Sequence, residues 1–223
     1  PETQPVDHDS GFSVFDIPFP RLAYRVDVDR MKYHALELSD IRAQARSTPD
    51  QTLSVDTLSL KLADGELEFS GEFTSADRTQ IYLDPNLEFR AIALDRLFLK
   101  FDNFGQDELV AENIHGRLSG AMTGRIHLHA DLLPMLDASE MHIDAEGRDG
   151  RLDDFAPLQA LGDYFGVRNL SRVAFDTLSN HIDLVDGAVT IPNMRINSTL
   201  GFLEVSGRQD IDLNMAYLVR VPW

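Results

Sequence analysis

Apolar and polar residues alternate along most of this chain, and helical spacing is rare. Leu22, Tyr24, Val26 and Val28 alternate with Ala23, Arg25, Asp27 and Asp29, the period of two that turns one strand face to a core and the other to water. The run 53–62 repeats the pattern and is followed by Asp64-Gly65. Beyond that turn Leu67, Phe69 and Phe73 share one face, with Glu66, Glu68 and Glu72 on the other. Asp-Gly between alternating runs predicts a tight hairpin, because both residues tolerate a positive φ. The arrangement recurs where Leu184-Val185-Asp186-Gly187 leads into Val189 and Ile191, and a Gly-containing link then precedes Leu203 and Val205.

The middle of the chain reads the same way. Residues 87–101 are strand-rich, Ile126, Leu128 and Ala130 oppose Arg125, His127 and His129, and Met141, Ile143 and Ala145 alternate with His142, Asp144 and Glu146. Near the end, Ile211, Leu213, Met215, Tyr217, Val219 and Val221 hold every second position. They predict one strand over 211–221, about 35 Å long at ~3.3 Å per residue. Only 153–165 reads as helix. Asp153 or Asp154 caps it, Pro157 suits its first turn and Gly166 ends it. Phe155, Leu158, Leu161 and Phe165 form its apolar stripe, as expected of a helix lying on a core or capping one end of a sheet. The predicted fold is mainly β: a long curved antiparallel sheet, groove-like or sandwich-like, with one amphipathic helix near 154–165. Residues 1–15 form a polar lead-in and 16–223 a single β-rich domain.

Such strands carry more apolar surface than one helix can cover. The sheet must fold over on itself or leave a trough, and a trough suits an acyl chain, whose burial gains roughly 0.8 kcal/mol per CH₂. The trough-lining residues expected from alternation are Leu67, Phe69 and Phe73, with Leu203, Val205, Ile211, Leu213, Met215, Tyr217 and Val219.

Composition narrows the function. The 223 residues carry 37 acidic and 20 basic side chains, a net charge of −17. That disfavours nucleic acid, whose binding rests on Lys and Arg, and electrostatic docking on anionic lipid. No cysteine is present, which removes disulfides, thiol nucleophiles and cysteine-ligated metals. No G-x-S-x-G, H-E-x-x-H or phosphate-binding loop occurs, so no enzyme and no cofactor is expected. His127, His129, His142 and Asp144 would share a polar face if 125–131 paired with 140–146. Their spacing matches no distinctive ligand pattern, so they are read as a solvated face rather than a metal site.

The second half resembles the C-terminal module of the AsmA-like family of bacterial envelope proteins. The likeness, over 116–221, begins at Gly116-Arg117-Leu118-Ser119-Gly120 and passes through Gly147-Arg148-Asp149-Gly150-Arg151-Leu152 into Asp154-Phe155-Ala156-Pro157-Leu158. It continues in Leu170-Ser171-Arg172-Val173-Ala174-Phe175, Ile182-Asp183-Leu184-Val185-Asp186-Gly187-Ala188-Val189 and Met194-Arg195-Ile196-Asn197-Ser198. It closes with Val205-Ser206-Gly207 and Asp210-Ile211-Asp212-Leu213. The resemblance implies a periplasmic domain of a protein anchored in the inner membrane by a segment outside this chain, with a β-sheet curved into a hydrophobic groove. It also implies a role in lipid transport and outer-membrane homeostasis, with phospholipid or another acyl-chain lipid as partner. The alternative is a non-catalytic scaffolding module whose strand edges engage neighbouring β-domains or other envelope proteins.

Overall fold

The computed structural model describes residues 12–33, 36–100, 110–154, 159, 171–199, 201–210 and 214–220. Among the described residues eleven strands form one sheet in which every strand pairs with its neighbour in sequence. They are β1 (Leu22–Tyr33), β2 (Leu36–Thr48), β3 (Thr52–Leu62), β4 (Gly65–Ser75), β5 (Ile81–Ala93) and β6 (Ile114–Leu128). The remainder are β7 (Glu140–Asp153), β8 (Arg172–Val185), β9 (Ala188–Ser198), β10 (Gly201–Asp210) and β11 (Met215–Arg220). All ten pairings are antiparallel. The long curved antiparallel sheet expected from the alternation is therefore the fold, and it is a single open meander.

Local chemistry explains the turns, with one shift from expectation. Val185 pairs with Ala188, so Asp186 and Gly187 are the two central turn residues, and both have positive φ, 50° and 68°. In the β3–β4 hairpin Leu62 pairs with Gly65, which makes Ala63 and Asp64 the central pair, at φ 47° and 60°. Gly65 thus begins the strand rather than completing the turn. It is needed for close approach: a Cβ there would lie 2.5 Å from the Arg90 carbonyl oxygen.

Several bulges sit towards one end of the strands. The β2–β3, β5–β6 and β6–β7 ladders shift register between Ser39 and Arg42, Phe89 and Ile92, and His115 and Arg117. Asp40, Ala91 and Gly116 within these intervals have positive φ. A bulge bends its strand and increases the twist, so bulges on neighbouring strands curve the whole sheet.

Two apolar clusters close parts of the two strand ends. At one, the 3₁₀ turn Val14–Asp16, capped by Ser13, places Phe15 among Ile81, Ile126 and Leu128, with Phe19, Phe73 and Leu83 packed around them. Gln51 fastens this plug: its Nε2 donates to the Phe15 carbonyl at 2.7 Å and its Oε1 accepts from the Phe19 amide at 2.8 Å. At the other end, helix α1 (Leu94–Lys100) brings Leu97 onto Leu62, Ala63 and Ile92. Arg96 ties the helix to Asp64 at 2.7 Å.

Three expectations change. The strand expected through 87–101 stops at Ala93 and becomes α1, where Leu94 and Leu97 fall three apart and share a helical face. The predicted strand 211–221 is shorter: β11 is Met215–Arg220, and Gln209 pairs with Met215, so the chain reverses between them. The helix expected over 153–165 cannot begin at Asp153, the last residue of β7, nor include Asp154, whose φ is 50°. Gln159 is helical, while Phe155, Leu158, Leu161 and Phe165 lie outside the described residues.

Candidate functional site: an apolar trough

Directly opposed residues in an antiparallel ladder lie on the same face, so the register traces a side chain from strand to strand. Beginning at Val26, the opposed partners are Ala43, Leu58, Phe69, Leu87, Met122, Ile143 and Ile182. This row crosses eight strands without one polar residue. Seven spacings of ~4.8 Å make it about 34 Å long, perpendicular to the strands. A second row, Leu53, Phe73, Leu83 and Ile126, runs beside it.

None of the eight residues in the first row is buried; seven are half-buried and Val26 is 43% exposed. The second row ends in the plug, where Ile126 is only 5% exposed. Among the described residues no second sheet and no helix covers the first row. Helix α1, seven residues and about 10 Å long, is too short to do so.

Aromatic rings lie flat against the floor where glycines receive them. A Cβ on Gly120 would come within 2.6 Å of the Phe89 ring, and one on Gly150 within 1.8 Å of the Phe175 ring. Phe89 opposes Gly120 and Phe175 opposes Gly150 in the ladders. Phe175 is itself buried, at 7% exposed, and Phe89 packs beside the Leu62, Ala63 and Ile92 cluster. Asn180 interrupts the apolar surface opposite Ala145; it is 7% exposed and its Oδ1 accepts no hydrogen bond among the described residues.

The other face is charged. Arg90 bridges Glu68 and Glu88, which oppose one another in the ladder, at 3.0 and 2.7 Å. Arg125 bonds Asp84 at 3.0 Å, Arg46 bonds Asp56 at 2.6 Å and Lys61 bonds Asp40 at 2.8 Å. These exposed pairs contribute little individually, but they keep like charges apart and hold this face in water.

The histidine set expected on one polar face does not assemble. Pairing of β6 with β7 begins at Arg125–Glu140, because the link after Leu128 spends its residues on a bridge to Pro134 and the 3₁₀ turn Leu136–Ala138. His127 instead stacks on Tyr82 at 4.8 Å, with its Nε2 2.7 Å from the Thr79 carbonyl oxygen, and His129 lies past the end of β6. His142 opposes Thr123 and meets Asp183 on β8, while Asp144 meets His181.

Of the expected lining, Leu67, Phe69 and Phe73 on β4 and Val205 on β10 are half-buried, and Tyr217 on β11 is 43% exposed. Leu203 pairs with Ile196, Val219 with Val205 and Met215 with Gln209 in the ladders. Ile211 and Leu213 lie outside the described residues. The expected set omits Leu58, Leu83, Leu87, Met122, Ile143 and Ile182. Carrying each apolar face through its turn into the next strand would have found them, since every step of the meander is antiparallel.

No family model, curated protein or solved structure matches this chain.

Proposed function

We propose that this domain binds acyl-chain lipid, with the apolar row from Val26 to Ile182 as its floor. What carries the reading is a 34 Å band of eight apolar residues, from Val26 to Ile182, seven of them half-buried and Val26 exposed, in a folded chain of net charge −17. Contiguous exposed apolar surface on a soluble domain marks a site for an apolar partner. The band is about twice the length of one acyl chain, taken as half of a ~30 Å bilayer hydrocarbon core. Among the described residues Asn180, beside its Ile182 end, is the one polar group that interrupts the surface around it, so it suits chains that lie in it or slide along it. The family-like motifs over 116–221 favour the same reading, with an envelope lipid-transport role and a periplasmic location as its setting.

The acidic polar face keeps the domain off anionic membrane surfaces, which fits a domain that carries or guides lipid between membranes. Native mass spectrometry of protein purified from bacteria tests the proposal: co-purifying phospholipid at near-stoichiometric amounts is expected. Protein that emerges lipid-free under mild extraction counts against it.

A scaffolding role is favoured by one feature. Strand β1 has a single partner among the described residues, and Leu22, Tyr24 and Val26 on it are 50, 40 and 43% exposed. An edge of this kind accepts another strand. A sheet extended at β1 would lengthen the trough, so edge pairing and lipid binding are compatible.

A further inference from the structure

On the polar face, opposite the trough, β7 and β8 bring two histidines and three carboxylates together. His142 opposes Asp183 in the ladder, and Asp144 opposes His181 two residues along. The two imidazoles converge on one oxygen: Asp183 Oδ1 lies 2.6 Å from His142 Nδ1 and 3.1 Å from His181 Nε2. Each ring is held from behind by a further carboxylate. Glu140 Oε1 is 3.0 Å from His142 Nε2, and Asp144 Oδ1 is 2.6 Å from His181 Nδ1. One donor atom from each of His142, His181 and Asp183 lies within 4.8 Å of the others.

We infer that His142, His181 and Asp183 form a three-ligand site for a divalent cation of the zinc type. Two features point this way. Imidazole nitrogen with a carboxylate oxygen is a zinc donor set, with metal–ligand bonds of ~2.0–2.2 Å that place tetrahedral ligands about 3.3 Å apart. The His181–Asp183 separation is already close to this, and the His142–Asp183 contact opens to it by a shift of about 0.7 Å. The side chains of His142, His181 and Asp183 are 42, 44 and 29% exposed, so such a shift meets little packing resistance.

The second feature is the outer carboxylates. A metal-bound histidine characteristically gives its other ring N–H to a carboxylate, which sets the ring's orientation and raises its basicity. Asp144 and Glu140 stand where they would do this for the two rings. Asp144 and His181 also border a depression of 610 Å³ lined by Ser119, Ser179, Asn193 and Arg195. Of the three ligands, His181 borders this depression.

Isothermal titration of the chelator-treated protein with ZnCl₂ at about pH 7.5, where free imidazole is mostly neutral, tests the site. One saturable site with a Kd on the order of micromolar is expected. His181→Ala and His142→Gln are expected to abolish it. Asp144→Ala is expected to weaken it about tenfold, the usual cost of losing a ring-orienting carboxylate. His127→Ala, on the Tyr82 stack, is expected to leave it unchanged. Circular dichroism confirms that each variant is folded. An absence of saturable heat in the wild type overturns the assignment, as does equal binding by folded His181→Ala and His142→Gln, and in either case the trough is unaffected.

Discussion

Ile81 and Leu87 stand six residues apart on β5 and face the same side of the sheet, yet Ile81 is fully buried and Leu87 only half-buried. The residue types are similar and the pleat is the same, so hydropathy does not explain the contrast. Cover explains it. Ile81 lies beneath Phe15 and Phe19, held down by Gln51, whereas among the described residues nothing is laid over Leu87. The covered strand end behaves as ordinary protein core, and the middle of the sheet is left uncovered among the described residues. One end is packed core, and the middle is left half-buried.

The contrast breaks most directly by truncation. Ile81→Ala is expected to cost about 2–5 kcal/mol in urea denaturation, the range for a cavity in a packed core. Leu87→Ala is expected to cost about 1 kcal/mol or less in lipid-free protein, because its side chain is already partly in water. Equal losses at the two positions would mean that the middle is packed as tightly as the end. Next in size is the glycine beneath an aromatic ring. Gly150→Ala pushes a methyl into the Phe175 ring and is expected to destabilise by about 1–3 kcal/mol, read from the same denaturation curves.

The smallest effect is on the polar face, and it depends on pH. The hydrogen bond to Asp183, then that to Glu140, raises the pKa of His142; the one to Asp144 raises that of His181; and the one from His142 lowers that of Asp183. A raised imidazole stabilises the fold below its ordinary value of 6.5 and stops doing so as pH rises through the folded value. The depressed Asp183 stabilises it above its ordinary 3.8 and stops as pH falls through its folded value. Arg125 faces Glu140 from β6, while Thr123 and Thr190, opposite His142 and Asp183, carry no charge. The difference in melting temperature between wild type and His142→Ala, without added metal, is therefore expected to be larger near pH 6 than near pH 9. A difference that grows with pH would contradict the assignment of charge.

Much of the sheet was legible in the alternation, and the limits of that signal are physical. Period-two patterning is a local signal, so it identified the strand faces of β1, β3, β4 and β7 and the Asp186-Gly187 turn. It could not distinguish Asp64-Gly65 from Ala63-Asp64 as the turn, because that choice is settled by the approach of the Arg90 backbone from β5. The helix at Leu94–Lys100 was hidden because Leu94, Leu97 and Leu99 satisfy strand and helix spacing over so short a run. For the same reason the alternation at 211–221 gave no sign of the reversal that pairs Gln209 with Met215. The His142–His181–Asp183 cluster was missed because it depends on the β7–β8 register across an 18-residue connection between Asp153 and Arg172. Cover, which separates Ile81 from Leu87, is a tertiary property with no local signature.

The central claim is that the middle of the sheet takes an acyl chain. Titration with a fluorescent fatty acid, comparing wild type with Leu87→Asp, tests it most directly. Saturable binding by the wild type and at least about tenfold weaker binding by the folded variant are expected, the worth of roughly 1.5–3 kcal/mol of leucine contact. No saturable binding by the wild type, or identical binding by the two proteins, would contradict it.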